Sequence, residues 1–391
     1  MAKRFRKLHG DQIIWLVILL LALISIVAVY SSSSALAYKN ETSTFTYLFK
    51  QMGYVSIGFI ALLICYRIPL SWYRKGSILL LLFSAGLLLY IVFKGVVLNH
   101  AARWIQLGPL SFQPSELAKI AVILYLARIL ETHKFYTFKE YIIWILAPLG
   151  AVCILSLIGS VSATLIIGVT AFVILICAGI NWKYIAYTVG IVIVALSLVF
   201  LVHKAFGTFS RLDTFTARIE RFFSPEDIES MSAEEKQEYK EKNFQSEQAK
   251  QAIQLGGLTG RGPGNSLKKD TLPHPYSDFI FALIVEELGL FGGLFLIMLY
   301  LWFFSRCITI AKLCTKMYST VVVLGLGFLI TLQAFIHILV NVGIFPVTGQ
   351  TLPLVSLGGT SLLIMSCAFG IILSVNRTIE IKIEIEKSKN E

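Results

Sequence analysis

Residues 12–33 read QIIWLVILLLALISIVAVYSSS, an apolar run long enough for a helix to cross roughly 30 Å of hydrocarbon. Similar runs recur along the chain and predict further spans at 47–66, 76–97, 115–131, 140–159, 161–180, 183–203, 278–304, 318–344 and 354–376. Inside lipid, a helix satisfies all of its backbone hydrogen bonds within one segment. The sequence therefore predicts an all-α polytopic membrane protein, a single domain over residues 1–391 with about ten transmembrane helices.

Composition points to the same class of protein. The 391 residues are 56% hydrophobic and 15% charged, and the mean hydropathy is +0.76, values that are typical of membrane proteins. The net charge of +11 comes from short basic clusters between the apolar runs, and these clusters do not form one basic face. A nucleic-acid partner is therefore not expected.

The distribution of charge predicts the orientation of the chain. Four basic residues precede the first span, namely Lys3, Arg4, Arg6 and Lys7. The positive-inside rule therefore places residues 1–11 in the cytoplasm, and the alternation of spans places the tail at 377–391 there as well. A basic start followed by Ala35-Leu36-Ala37 also resembles a cleavable signal peptide. The apolar region is longer than the roughly 7 to 15 residues of such a peptide, which favours a retained first helix.

The long hydrophilic segment at 204–277 follows the seventh span and is therefore predicted to be extracytoplasmic. Residues 211–223 mix Phe, Leu and Arg at helical spacing, which is typical of a helix lying in the interface. Residues 224–254 are rich in Glu, Lys and Gln and predict a solvated helix. The run GGLTGRGPGNS at 256–266 has too much glycine for a helix and lacks the preceding strand of a nucleotide-binding fold.

Ionisable residues at the mouth of a span are energetically costly and mark candidate sites. Asp278 opens the eighth predicted span, where a carboxylate either caps the helix or takes part in chemistry. Glu286 and Glu287 follow deeper in the same span, and at about 100° per residue they face different neighbours. The Gly, Ser and Thr residues of the block at 346–361 favour close helix packing over ligand binding when spacing alone is considered.

The fourth span begins with the sequence QPSELAK at 113–119, which has proline at the first helical position and Glu116 in the first turn. Lys119 lies one turn beyond Glu116 on the same face, so an ion pair is the simplest interpretation. Upstream, Arg103 stands beside Trp104 in a short outer loop. It is either an interfacial anchor or a phosphate ligand.

Five stretches in this order together resemble the SEDS family (shape, elongation, division and sporulation), whose members polymerise the peptidoglycan precursor lipid II. They lie at 102–105, 112–119, 256–266, 278–289 and 346–361. The resemblance extends over nearly the whole chain. The stretch Gly262–Ser266 is more similar to the division branch of the family than to its elongation branch.

The resemblance implies a glycosyltransferase at the outer face of the cytoplasmic (inner) membrane, at the division septum. It would join lipid II molecules into β-1,4-linked glycan and release undecaprenyl pyrophosphate, with Asp278 as the catalytic general base. The implied substrate-binding residues are Arg103, Gln113, Glu116, Lys119, Arg261, Asn265, Ser266, Lys268, Tyr276, Ser277, Ser356, Gly358, Gly359 and Thr360. The implied supporting residues are Glu286, Glu287, Pro346 and Pro353.

The family also implies a divalent cation, Mg²⁺ or Mn²⁺, beside the pyrophosphate, although the sequence contains no recognisable cluster of metal ligands. No organic cofactor is expected. The implied partners are a class B penicillin-binding protein of the FtsI type, which crosslinks the new glycan, and division proteins of the FtsQ, FtsL and FtsB types.

Two stretches depart from the family pattern. Residues 159–164 read GSVSAT where relatives often carry Pro-Asp-Leu-Gly-Thr, so the role of that carboxylate is absent here. Residues 272–277 read LPHPYS in place of Leu-Pro-Glu-Ala-His-Thr, so His274 does not take the role of the family histidine. A lipid II flippase, an elongation-type polymerase and a non-catalytic scaffold are the alternatives. Charge that is concentrated at the outer face favours an enzyme over a flippase.

Overall fold

The computed structural model describes residues 9–33, 41, 43–94, 96–98, 101–107, 110–206, 233–272 and 275–390. In chain order its helices are α1 (Gln12–Ser32), α2 (Thr44–Arg67), α3 (Leu70–Lys94), α4 (Pro114–Thr132), α5 (Phe138–Gly159), α6 (Val161–Cys177), α7 (Trp182–Phe206), α8 (Ala233–Gly256), α9 (Ile280–Leu313), α10 (Met317–Val342) and α11 (Gly359–Asn390). Helix α5 passes through a π-helical turn at Ile142–Leu146.

Seven of the described helices are long and apolar enough to cross a membrane, namely α1, α2, α3, α5, α9, α10 and α11. Helices α4, α6 and α7 occupy the other predicted spans. Helix α6 has only 17 residues, and α4 carries the ionisable side chains of Glu116, Lys119, Arg128 and Glu131. Each predicted span therefore overlaps a helix, although residues 354–358 of the tenth predicted span lie in the loop before α11. The all-α membrane architecture is confirmed.

Helices α4 and α10 lie in the interior of the bundle. Every residue of α4 from Ala118 to Ala127 is buried, and α10 packs against α4, α6 and α9. The outer helices expose large apolar side chains, and Leu79, Phe93 and Trp182 are each 70% exposed or more. Such surfaces fit hydrocarbon as the surrounding solvent.

One end of the bundle, which we call the terminal end, carries residues 9–11 and the last turns of α11. Arg306 Nη2 lies 2.6 Å from Asp11 Oδ2, and Gly10 N donates a hydrogen bond to Glu380 Oε2 at 2.8 Å. The start of α1 is therefore tied to both α9 and α11.

The opposite end, which we call the loop end, contains a small sheet that the sequence did not predict. Strands β1 (Val96–Leu98), β2 (Ala101–Leu107) and β3 (Leu110–Phe112) pair antiparallel in the order β1-β2-β3 between α3 and α4. Strands of three to seven residues are too short to stand out beside apolar runs of about 20 residues.

The segment at 343–358, which we call the inner loop, connects α10 to α11 and folds back into the loop end. Val355 is fully buried. Tyr300 OH of α9 donates to Pro353 O at 2.6 Å, and Ser25 Oγ of α1 donates to Val355 O at 2.8 Å. Side chains from two different helices therefore fix the backbone of the inner loop.

The predicted loop at 204–277 is partly described. Helix α7 continues to Phe206, and the predicted interfacial helix at 211–223 lies outside the described residues. Helix α8 was predicted to be solvated, but Ala249 and Ala252 near its end are fully buried against α9 and α10. Because alanines leave room for close helix packing, the last turns of α8 form part of the wall of the loop end.

Candidate active site at the loop end

The segment that leads into α9 is held at three consecutive carbonyl groups. Leu357 N donates to Tyr276 O at 2.9 Å, and Ser356 Oγ donates to Ser277 O at 2.7 Å. Asn341 Nδ2 donates to Asp278 O at 3.1 Å. The donors come from the inner loop and from α10, so the backbone that carries Asp278 is positioned by residues distant in sequence.

Asp278 is half-buried and lies just before α9, which begins at Ile280 and not at residue 278. Phe279 occupies the N-cap position, and it makes no side-chain capping bond. The carboxylate of Asp278 lies beside the inner loop, because a Cβ placed on Gly349 would be 3.7 Å from Asp278 Oδ2. Gly349 has a φ of 64°, a conformation that favours glycine.

Tyr276 is a half-buried phenol in the same segment. Burial raises the pKa of Tyr276 above its usual value, and the neighbouring Tyr47 and the carboxylate of Asp278 raise it further. All three causes disfavour a second negative charge near Asp278. Tyr276 therefore stays a neutral phenol beside the carboxylate, where it can donate a hydrogen bond.

Lys119 and Glu116 form a buried ion pair at the start of α4. Lys119 Nζ lies 2.7 Å from Glu116 Oε1 and donates to Gln333 Oε1 of α10 at 2.6 Å. Ser361 Oγ of α11 donates to Glu116 Oε2 at 3.3 Å. Lys119 is only 1% exposed. Glu116 and Gln333 bind its ammonium group inside the bundle. Direct contact between Lys119 and a substrate phosphate would therefore require these hydrogen bonds to break.

Helix α9 is interrupted at Gly289, and the turn that follows α8 fills the break. Gly289 has a φ of 74°, which glycine adopts without a steric penalty. Arg261 N donates to Glu286 O at 3.0 Å, and Gly262 N donates to Glu287 O at 2.9 Å. The turn therefore satisfies carbonyl groups that the break leaves without helical partners.

Glycine makes this close approach possible. A Cβ on Gly256 would lie 2.1 Å from Val285 O, and a Cβ on Gly260 would lie 2.2 Å from Glu287 O. Close backbone packing thus explains why glycine stands at positions 256 and 260. Any ligand binding by the predicted stretch would involve its side chains from Arg261 onward.

Those side chains have different environments. Arg261 and Asn265 are exposed, whereas Ser266 is buried and donates to Glu286. Lys268 Nζ donates to Gln248 Oε1 at 2.8 Å and to Gln251 Oε1 at 2.6 Å. Amide oxygens carry no net charge, so they orient this cation without neutralising it.

Glu286 and Glu287 contact different neighbours, as their positions on the helix predicted. Glu286 Oε1 accepts a hydrogen bond from Leu267 N at 2.8 Å, and Glu287 accepts one from Ser31 of α1. Glu286 therefore anchors the loop that carries Lys268. Glu287 joins α9 to α1.

The other predicted site residues line the start of α4 and of α11. Gln113 precedes α4, and its Nε2 donates to Ser115 Oγ at 3.0 Å. Gly358 precedes α11, and Gly359 and Thr360 are its first two residues. A Cβ on Gly359 would meet the ring of Tyr54 at 3.1 Å.

Arg103 and Pro346 are the remaining predicted site residues. Arg103 lies in β2, but its side chain is outside the described part of the structure. Pro346 is half-buried in the inner loop.

The sequence did not predict a polar stripe on α10, formed by Gln333, His337 and Asn341. Gln333 Nε2 donates to Thr351 O at 3.0 Å, and His337 Nδ1 lies 2.8 Å from Gln350 O. With Asn341 these residues recur every four positions, so they lie on one face of the helix. Their spacing inside an apolar span was the signal that could have identified them.

The described residues do not fit a metal held by the protein alone. Within the ranges that the structure describes, no three His, Cys, Asp or Glu side chains come together as a metal site. An ion bound only through substrate oxygens and Asp278 would need no such cluster.

Comparison with known proteins identifies relatives along almost the whole chain. The family model described as "Cell cycle protein", which groups FtsW, RodA and SpoVE, matches residues 11–380. The probable peptidoglycan glycosyltransferase FtsW of Nitrosomonas europaea is 32% identical over 94% of this chain and 92% of its own. The protein of the same name from Thioalkalivibrio sulfidiphilus is 33% identical over 90% of this chain and 86% of its own.

Two solved structures have the same fold. A chain of a peptidoglycan synthase complex that coordinates polymerization and crosslinking superposes with a TM-score of 0.73, at 23% identity, over 95% of this chain and 98% of its own. The rod shape determining protein RodA of Thermus thermophilus gives a TM-score of 0.67 at 21% identity, over 96% and 98% of the two chains. On the extent of these matches, this multi-pass membrane protein belongs to the FtsW/RodA/SpoVE family of cell cycle proteins, which is the SEDS family.

Proposed function

We propose that this chain is a peptidoglycan glycosyltransferase that polymerises lipid II during septal wall synthesis. Its curated relatives carry the name of that enzyme. The observation that carries the proposal is the setting of Asp278, a half-buried carboxylate at the loop end. Its own carbonyl and the two before it are each bound from elsewhere in the fold.

The charges at the terminal end support an orientation with the loop end outside the cytoplasm. Arg74, Arg128, Arg306 and Arg377 lie at that end. Cytoplasmic ends of spans are enriched in such residues. With this orientation, Asp278 faces the side on which the cell wall is assembled.

The proposed reaction is a glycosyl transfer. The 4-hydroxyl oxygen of the acceptor N-acetylglucosamine attacks C1 of the donor N-acetylmuramic acid, and the bond between C1 and the pyrophosphate oxygen breaks. The hydroxyl proton passes to the carboxylate of Asp278, which acts as general base. The bonding electrons leave with undecaprenyl pyrophosphate, and inversion at C1 gives the β-1,4 linkage. A fixed backbone favours this step, because proton transfer needs a base at hydrogen-bond distance.

The leaving pyrophosphate needs positive charge around it. Arg261 and Lys268 are the described cations best suited to this task, because Arg261 is exposed and Lys268 is oriented by neutral amides. Lys119 would act indirectly, by holding Glu116 and α10. The divalent cation remains a proposal, and its contribution would be measured by adding and chelating Mg²⁺ or Mn²⁺.

We propose a class B penicillin-binding protein of the FtsI type as partner, with FtsQ-, FtsL- and FtsB-type proteins in a division complex. A solved relative belongs to a complex that couples polymerization and crosslinking, which supports a transpeptidase partner for this chain. The division assignment is supported by curated relatives that are named FtsW.

Purified protein, with and without the candidate transpeptidase, should convert lipid II into glycan chains. Asp278→Asn should abolish the product while the protein stays folded. Asp270→Asn is the matched control, because Asp270 is an exposed carboxylate at the same end of the molecule. Glycan synthesis by the Asp278→Asn variant would remove Asp278 as the base. Transbilayer movement of lipid II without any glycan product would instead favour a flippase.

A further inference from the structure

Asn341 of α10 is completely buried and makes three hydrogen bonds. Its Nδ2 donates to Asp278 O at 3.1 Å and to His337 O at 2.8 Å. Its Oδ1 accepts from Ala282 N at 3.0 Å. A side chain in a transmembrane helix therefore binds both Asp278, two residues before α9, and the first turn of α9.

The contact to Ala282 replaces a missing helix cap. The first N–H groups of a helix have no partner within the helix, and they are usually satisfied by a polar side chain at the N-cap. Phe279 occupies the N-cap of α9 and offers no such group. The carboxamide oxygen of Asn341 supplies the acceptor from a neighbouring helix.

The same carboxamide has a second and separate effect on Asp278. Its donor group binds the carbonyl of the residue whose carboxylate would act as base. Two further contacts to this segment come from the inner loop, through Leu357 N and Ser356 Oγ. Asn341 reaches the segment from the bundle interior, where α10 is packed on several sides.

We propose that Asn341 is a positioning residue for the reaction at Asp278. Its Nδ2 fixes the depth and direction of the carboxylate through the Asp278 carbonyl, and its Oδ1 fixes the start of α9. This inference rests on the proposed glycosyltransferase function. Asn341 touches neither substrate nor reacting atoms, so it should affect turnover more than substrate binding.

Two substitutions remove the carboxamide. Asn341→Ala removes the donor and the acceptor and leaves a space in the packing. Asn341→Leu removes the same donor and acceptor but keeps a side chain of similar size. A base displaced by about 1 Å can lose about a hundredfold in rate. Both variants should therefore lower kcat for lipid II polymerisation by roughly that factor, while KM changes less than about threefold.

Asn376→Ala is the matched control. Asn376 is also a buried asparagine, but it lies at the terminal end and donates to Glu380. Its loss should leave turnover close to that of the unchanged protein. Hydrogen exchange at the start of α9 should speed up in Asn341→Ala and stay unchanged in Asn376→Ala.

The outcomes are distinguishable in the full-length protein with its transpeptidase partner. If the unchanged protein makes no glycan, the proposed function fails. If it makes glycan and Asn341→Leu keeps full turnover, the positioning role is overturned, because the donor to Asp278 O is then dispensable. A rise in KM equal to the loss of rate would also overturn it. Should Asn341→Ala fail to fold, Asn341→Leu, which fills the space, decides the question.

Discussion

Gly260 in the turn after α8 lies directly against Gly289 in the break of α9, so that a Cβ on Gly260 would be 2.5 Å from Gly289 N. This contact joins the extramembrane segment to the helix that follows Asp278. Because both partners are backbone atoms, neither can move aside as a flexible side chain would. The turn after α8 and the first turns of α9 therefore pack together as one unit.

Gly289→Ala should destabilise this unit. The substitution forces alanine into a φ of 74° and places a Cβ 2.3 Å from Leu258 O. Backbone strain of this kind costs about 1–3 kcal/mol, and the overlap adds to it. The thermal unfolding midpoint should fall, and trypsin should cleave faster at Arg261.

Gly190→Ala is the control for that change. Gly190 lies in α7 and has open space around its Cβ position. In a helix, alanine is favoured over glycine by about 1 kcal/mol. Unchanged or higher stability is therefore expected for Gly190→Ala. Equal stability of the Gly289→Ala and unchanged proteins would show that the turn does not depend on the break.

The buried pair of Glu116 and Lys119 should show strong energetic coupling. Removing one partner of a buried ion pair costs about 3–5 kcal/mol, because the other charge is left uncompensated. Glu116→Gln and Lys119→Met should each lower stability, and the double variant should lose less than the sum. Unfolding of the four proteins in detergent gives the coupling energy.

An exposed pair provides the comparison. Lys382 Nζ lies 3.9 Å from Glu386 Oε1, and both side chains are more than 60% exposed. Water screens such a pair, so the same double-mutant cycle should give a coupling near zero. Additive losses at Glu116 and Lys119 would contradict the buried network.

Gly349→Ala should reduce polymerisation more than it reduces folding. The new methyl group would stand 3.7 Å from Asp278 Oδ2, and alanine is strained at a φ of 64°. At that distance the methyl group would be in van der Waals contact with the carboxylate and would occupy space beside the base that an acceptor hydroxyl needs. We therefore expect kcat to fall about tenfold or more. Initial rates of glycan synthesis measure the effect.

Gly179→Ala is the control, because it introduces a similar backbone strain but places no methyl group beside Asp278. Gly179 has a φ of 69°, has nothing near its Cβ position and lies in the turn between α6 and α7. If both variants lose activity to the same extent, general destabilisation and not crowding at Asp278 is responsible.

Glu286→Gln should loosen the loop that carries Lys268. The carboxylate accepts hydrogen bonds from Ser266 and from Leu267 N, whereas a carboxamide offers one acceptor oxygen in place of two. Amide hydrogen exchange at 266–268 should become faster, and binding of the pyrophosphate-bearing substrate should weaken. Glu247→Gln, which alters an exposed carboxylate of α8, should have neither effect.

The sequence by itself determined the membrane class, the positions of the ten spans and the candidate base. Bilayer thickness fixes the length of an apolar helix, so a run such as 12–33 predicts a span without knowledge of its neighbours. Asp278 stood out for a similar reason, because an ionisable residue at the mouth of a span is costly wherever the helix packs. The small sheet at 96–112 was missed, since its strands are too short for such a signal.

Only the tertiary structure decided which polar groups meet. Lys119 binds Gln333, which is 214 positions away, and Asn341 binds Asp278, which is 63 positions away. A buried polar group must find a partner, but the chain does not state which helix supplies it, because lipid-facing and helix-facing apolar surfaces look alike. The glycine-rich turn shows the same limit. Its composition excluded a helix, and only the close packing against α9 explained why glycine stands at positions 256 and 260.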